Sequence, residues 1–263
     1  MTAAERARQI VAKSTRQQIG DLPGEVRRLA AALTASSKSR PELRWCVGGC
    51  PDNGSGPLMV VASNVGLGFL PATTRLPRHT AVHVFADSPS VAWELKQSWV
   101  GDPLRAVLGF GRATGRSVTV VGGLPEIVGG AQGVGVELVT PENTPDEGIR
   151  GGRDRLEVVD PEKADQIQTL GMSALATLLP TAGGFELAPD AARRGLLWAD
   201  VLTAATIDQV HQLQAWKAFC ADQAAVSAYR VTRAEDDLKA REFFSDYSYF
   251  LWNLEQLEAA SSA

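Results

Sequence analysis

The sequence predicts an α+β protein: a small, mainly antiparallel β-sheet with helices, followed by a helical region. Three observations predict it. Strand-like segments with valine-rich, alternating character cluster between residues 42 and 139. Beyond residue 156, apolar residues recur at the three-and-four spacing of amphipathic helices. Between the two lies PENTPDEGIRGGRDR, residues 141–155, polar and broken by Pro and Gly. Strands first and helices afterwards is the order of an α+β chain.

Residues 1–38 read as N-terminal helices, because Ala, Arg, Glu, Gln and Leu dominate them. Leu22-Pro23-Gly24 is expected to interrupt this stretch, so that a second helix starts at Glu25 with Val26, Leu29, Ala30 and Leu33 on one stripe. Residues 39–145 read as an α/β sheet domain. Glu42–Val47 and Leu58–Ala62 flank the turn cluster Pro51–Gly56, which predicts a β-hairpin with a long loop. Ala81–Phe85 is the third strand. Asp87-Ser88-Pro89 opens a helix carrying Val91, Leu95 and Trp99. Gly101-Asp102-Pro103 ends it, and a short helix follows to about Phe110. Ser117–Val121 and Val134–Val139 are the fourth and fifth strands.

Residues 141–155 are then a linker or exposed loop, and 156–263 a helical domain. Asp160-Pro161 places an N-cap residue before a proline at the first helical position. One helix is expected to carry Ile167, Leu170, Ala174, Leu175 and Leu178 until Pro180 and Gly183-Gly184 stop it. Further helices are expected over about 190–204, from about Thr206 through Cys220, and over about 235–260.

Composition narrows the function classes. The 263 residues carry a net charge of −4, which lacks the broad basic footprint that neutralises phosphates, so nucleic acid is not an expected partner. No apolar run is long enough to span a bilayer, and MTAAERARQIVAKSTRQQ has no continuous apolar core of a signal peptide. Three cysteines, Cys46, Cys50 and Cys220, do not describe a disulfide framework. These features together predict a soluble protein of a reducing cytoplasm, without membrane insertion.

Candidate chemistry is sparse. Cys46, Cys50, His79 and His83 offer two thiolates and two imidazoles at short spacings, the donor set of tetrahedral zinc. Against that reading, Cys46 falls inside a strand and the gap between the pairs exceeds that of a compact finger. Gly109–Ser117, GFGRATGRS, loosely resembles a phosphate loop, but arginine stands for lysine and a strand follows it, so a helix-to-strand connection is the simpler reading. There is no Gly-x-Ser-x-Gly and no His-Glu-x-x-His. No catalytic residue and no cofactor is assigned on this basis, and a binding protein is expected. The alternative is a hydrolase or nucleotide-binding enzyme whose glycine-rich turns line a pocket in the sheet domain. The last helix offers an aromatic stripe, and Phe243, Tyr247, Tyr249, Phe250 and Trp252 are candidates for partner binding because exposed aromatics mark interfaces. The competing reading of that stripe is a helical core.

Several short motifs carry a family resemblance across nearly the whole chain: Ala3–Arg8, Leu43–Gly48, Gly68–Pro71, Arg75-Leu76-Pro77 and Arg230–Glu235. They resemble a mycobacterial family associated with type VII (ESX) secretion, an EspK-like group with paired C-terminal domains of unknown function. The resemblance implies a cytosolic chaperone or adaptor whose protein partner is a secreted type VII substrate or the secretion ATPase. It brings no catalytic residues with it. The chain departs from the pattern of exported cargo. Trp99-Val100-Gly101 is a Trp-x-Gly triplet inside an α/β region. Four residues after Tyr229, Tyr247 and Tyr249 come Arg233, Leu251 and Asn253, where the export signal needs a carboxylate.

Overall fold

The computed structural model describes residues 21–51, 56–66, 69–72, 74–77, 80–82, 99–145, 149, 151–180, 190–204 and 209–261. The expected first helix before Leu22, the helix opened by Asp87-Ser88-Pro89, the third strand beyond Val82, and His79 and His83 lie outside these residues. The chain divides into two compact units, Met1–Gly152 and Arg153–Ala263.

In the first unit, helix α1 spans Leu22–Ser36. It starts three residues before the expected Glu25, with Leu22-Pro23-Gly24 as its first turn. Asp21 caps its start by accepting the Gly24 N–H, and Pro23 occupies the first turn, where a missing N–H costs nothing. The sheet contains β1 (Trp45–Cys50), β2 (Leu58–Ser63), β3 (Thr80–Val82), β4 (Val120–Gly123) and β5 (Gly135–Leu138) in the order β3-β2-β1-β4-β5. The expected hairpin is present, with Cys50 opposite Leu58 and Trp45 opposite Ser63. β1 is also antiparallel to β4, while the outer pairs β2–β3 and β4–β5 are parallel. The sheet is therefore mixed, and its central strand runs against all four others. Among the described residues the unit also holds helices α2 (Pro103–Ala113) and α3 (Pro125–Val128).

Alternation along β1 assigns its side chains to two faces. Cys46, Gly48 and Cys50 face α2 and share an apolar core with Trp99, Ala106, Val107 and Phe110. Trp45, Val47 and Gly49 face α1, where Trp45 Nε1 donates to Ser37 Oγ at 2.9 Å. One glycine thus stands under each helix. A Cβ on Gly48 would lie 2.2 Å from Val107 Cγ1, and one on Gly49 would lie 2.9 Å from Val26 Cγ2. Neither helix could sit this close to the sheet over a larger residue.

The second unit is helical: α4 (Arg155–Val159), α5 (Pro161–Gln168), α6 (Met172–Thr177), α7 (Ala191–Ala204), α8 (Gln209–Val231) and α9 (Asp237–Ser261). Asp160 caps α5 through the Lys163 N–H, as its sequence signal predicts. α4 lies partly within the expected linker, held by a capping box in which Asp154 accepts from Glu157 N–H and the Glu157 carboxylate accepts from Asp154 N–H. The single helix expected through Ile167 and Leu178 is two. Arg241 of α9 donates to the Leu170 carbonyl at 2.7 Å, and Asp237 accepts the Met172 N–H at 2.8 Å. Long-range partners satisfy the backbone at the break, and Gly171 supplies the extended residue before α6.

Candidate functional site

The aromatic stripe of α9 mostly forms a core. Tyr249 is 1 % exposed, Phe250 3 % and Tyr247 8 %, while Phe243 and Trp252 are half-buried. Aromatic contacts link α7, α8 and α9: Trp198 to Phe219, tilted, at 5.2 Å, then edge-on from Phe219 to Phe250 at 6.0 Å and Phe250 to Tyr249 at 5.4 Å. Arg155 of α4 is buried among them, its guanidinium 4.6 Å from the centres of both the Tyr249 and Phe250 rings. Its Nη2 lies 2.5 Å from Asp246 Oδ1, and the Nε donates to the same oxygen. Burial removes Tyr247, Tyr249 and Phe250 from any exposed ridge. A three-and-four spacing cannot separate a stripe that meets a partner from one that meets its own neighbouring helices, and here α8 and α4 cover it.

The cysteine pair does not converge. Cys46 and Cys50 share a face of β1, but four residues of extended strand hold them roughly 13 Å apart. Two thiolates on one zinc must approach to about 4 Å. They therefore cannot ligate the same ion, which corrects the four-residue set at half of its members. Burial, with a smaller contribution from Asp102, pushes the Cys46 thiol up to about 12. Burial pushes Cys220 to about 12 as well, against the opposing field of Arg155, and raises Cys50, against Arg116. These are apolar packing groups rather than nucleophiles.

The glycine-rich segment Gly109–Ser117 has a defined geometry. It forms the end of α2 and a Schellman turn: the Arg116 N–H donates to the Gly111 carbonyl at 2.8 Å and the Gly115 N–H to the Arg112 carbonyl at 3.3 Å. Gly115 takes the left-handed conformation this turn requires, with φ of +69°. At Gly111 a Cβ would stand 2.7 Å from Val118 Cγ2 and 2.8 Å from the Arg116 carbonyl, so the glycine allows the turn to fold back. The segment is thus a helix-to-strand connection. It closes a helix, whereas a phosphate loop opens one, and its amides are used within the turn.

That turn borders a shallow, open depression of about 430 Å³. Arg112, Arg116, Ser117 and Gln132 supply its polar lining, and Leu108, Val118 and Val134 its apolar lining. The sequence alone marks the turn, through its glycines, but not Gln132 and Val134, which the β4–β5 crossover brings to it. Immediately after Val134, β5 forms one edge of the sheet, with Val136 and Leu138 41 % and 44 % exposed. Among the described residues no group of three or more His, Cys, Asp or Glu is placed to hold a metal ion, and no helix is long and apolar enough to cross a membrane.

Comparison with known proteins places this arrangement in a family. The chain is 26 % identical over 257 residues to an uncharacterized protein of Mycolicibacterium smegmatis (strain MKD8), covering 95 % of this chain and 34 % of that protein. It is 26 % identical over 268 residues to the ESX-1 secretion-associated protein EspK of Mycobacterium tuberculosis (strain CDC 1551 / Oshkosh), covering 99 % of this chain and 36 % of EspK. The chain thus spans about a third of the length of these relatives. Among solved structures, a fragment of the conserved hypothetical protein Rv3899c (residues 184–410) from Mycobacterium tuberculosis aligns with a TM-score of 0.38 at 15 % identity, covering 95 % of this chain and 98 % of the fragment. The family profile of the EspK C-terminal domain matches residues 34–262, and the chain belongs to that family.

Proposed function

We propose that the chain is a protein-binding domain in type VII secretion, acting as an adaptor or chaperone for a secreted substrate or a component of the secretion machinery. The observation that carries this reading is kinship with a protein named for ESX-1 secretion. The chemistry at the surface depression supports it. Guanidinium, hydroxyl and amide groups beside aliphatic side chains are the groups of a contact surface. The thiols of β1 and α8 are spent on packing.

The test is genetic. Residues 21–261 are deleted in the native host, and type VII substrates are quantified in culture filtrate and in cell lysate. The reading expects at least one substrate to fall in the filtrate, with restoration by the intact gene. Unchanged levels of every type VII substrate in the filtrate would sink it.

A further inference from the structure

The turn that ends α2 brings two arginines to one depression. Arg112 lies in the last turn of α2 and Arg116 two residues beyond its cap. Neither guanidinium has an ion-pair partner among the described residues, although the unit uses Arg27 with Glu137, Arg28 with Glu25 and Arg44 with Glu126 in ion pairs elsewhere. One cation near a helix C-terminus is explained by the helix dipole. A second, outside the helix and directed to the same depression, is not.

The backbone restricts the anion. The N–H groups of Gly115 and Arg116 are consumed by the Schellman turn, so no amide cradle faces outward for a phosphate. Recognition falls to two planar guanidinium forks, which pair bidentately with carboxylate and phosphate alike, so the choice of a carboxylate rests on the missing amide cradle and on the apolar lining. Leu108, Val118 and Val134 then offer an apolar wall for the methylene stem behind such a carboxylate.

The edge of β5 indicates a peptide rather than a free acid. Gly135 donates to the carbonyl of Thr119, just before β4, and Val139 to that of Gly123 in β4, so alternation turns the N–H groups of Val136 and Leu138 and the carbonyl of Val136 outward. No strand among the described residues pairs with that edge. It begins one residue after the depression ends and carries the two exposed side chains Val136 and Leu138. We propose that this face receives an extended acidic segment of a protein partner, laid along β5, with a glutamate or aspartate carboxylate held by Arg112 and Arg116.

This inference rests on the protein-binding reading, and its test is independent of secretion. A fluorescein-labelled ten-residue peptide of alternating Glu and Thr is titrated by fluorescence anisotropy against the full chain in low salt, beside the same peptide with Gln for Glu. Saturable binding of the Glu peptide only is expected. Arg112→Ala with Arg116→Ala should weaken it by roughly tenfold or more, as for two charge-assisted contacts. Arg28→Ala, which removes a cation from α1 on the other face of the sheet, should leave it unchanged. Equal binding of the Gln peptide, no saturable binding, or an unaffected double variant that melts like the parent would each overturn the proposal. Displacement of the peptide by inorganic phosphate at equal concentration would assign the site to phosphate and overturn it too. If the peptide fails to bind while deletion still abolishes secretion, the adaptor reading survives without this surface.

Discussion

Substituting Gly48 by alanine adds one methyl group to the chain, and the structure fixes where it goes. The new Cβ would stand 2.2 Å from Val107 Cγ1 and 3.2 Å from Val118 Cγ1. Carbon atoms prefer about 3.5–4.0 Å, so Val107 must retreat by well over an ångström. It cannot do so by a simple rotation. A β-branched side chain in a helix has essentially one good rotamer, and both Val107 and its neighbours Ala106 and Phe110 are buried. Helix α2 must therefore lift from the sheet, or Val107 must adopt a strained rotamer. Overpacking of this kind costs about 1–3 kcal/mol. The measurement is urea denaturation, with hydrogen exchange of the β1 and α2 peptides identifying the transition of the first unit. Val107→Ala removes the obstructing methyl, so the double variant should be less destabilised than the sum of the two singles. Strict additivity, or a Gly48→Ala variant within about 0.5 kcal/mol of the parent, would refute the account of the close helix–sheet approach.

The same substitution should act in the opposite sense at Gly195, which lies within α7 with open space around its Cβ position; Gly195→Ala should stabilise the second unit by about 0.5–1 kcal/mol in thermal unfolding. Arg155→Ala strands the Asp246 carboxylate and empties the space between Tyr249 and Phe250. A loss of about 3–5 kcal/mol is expected in urea denaturation, and Arg155→Lys should not restore it because lysine lacks the planar fork. Tyr249→Ala should lower the midpoint of unfolding by the equivalent of about 3–5 kcal/mol, where a solvent-facing ridge residue would leave it unchanged. Cys46 and Cys220 titrate at about 12 when folded, against 9.0 for an exposed thiol. The raised values mean that their contribution to stability is complete below pH 9 and is lost as the pH rises toward 12, because the unfolded chain releases the proton first. Stability measured from pH 8 to 11 should fall faster in the parent than in Cys46→Ala.

What the sequence reveals follows from how local the information is. β1, β2, β4 and β5 are visible in their own residues, and Asp160 before Pro161 announces α5 because a cap is a three-residue event. The break at Leu170-Gly171 is not local: it depends on Arg241 and Asp237, some 70 positions later. The parallel pairings likewise depend on crossovers, and strand patterns carry no record of direction. The aromatic stripe of α9 is legible as a stripe, but its burial is decided by α4 and α8. Among the features of the depression, the glycines of the turn stand out in the sequence, and the pairing of Arg112 and Arg116 across it needs the Schellman geometry to be seen.

The strand at the middle of the sheet is also the first to be made. β1 is complete at residue 50, and β2 can close one side of it soon afterwards, but β4 arrives only at residues 120–123. Until then a strand of Trp, Cys, Val and Gly keeps an open flank, the kind of edge that recruits strands from other chains. A ribosome-bound or truncated product ending before residue 120 would therefore be sticky rather than merely incomplete, and shortened versions of this unit should be cut after β5 or not at all.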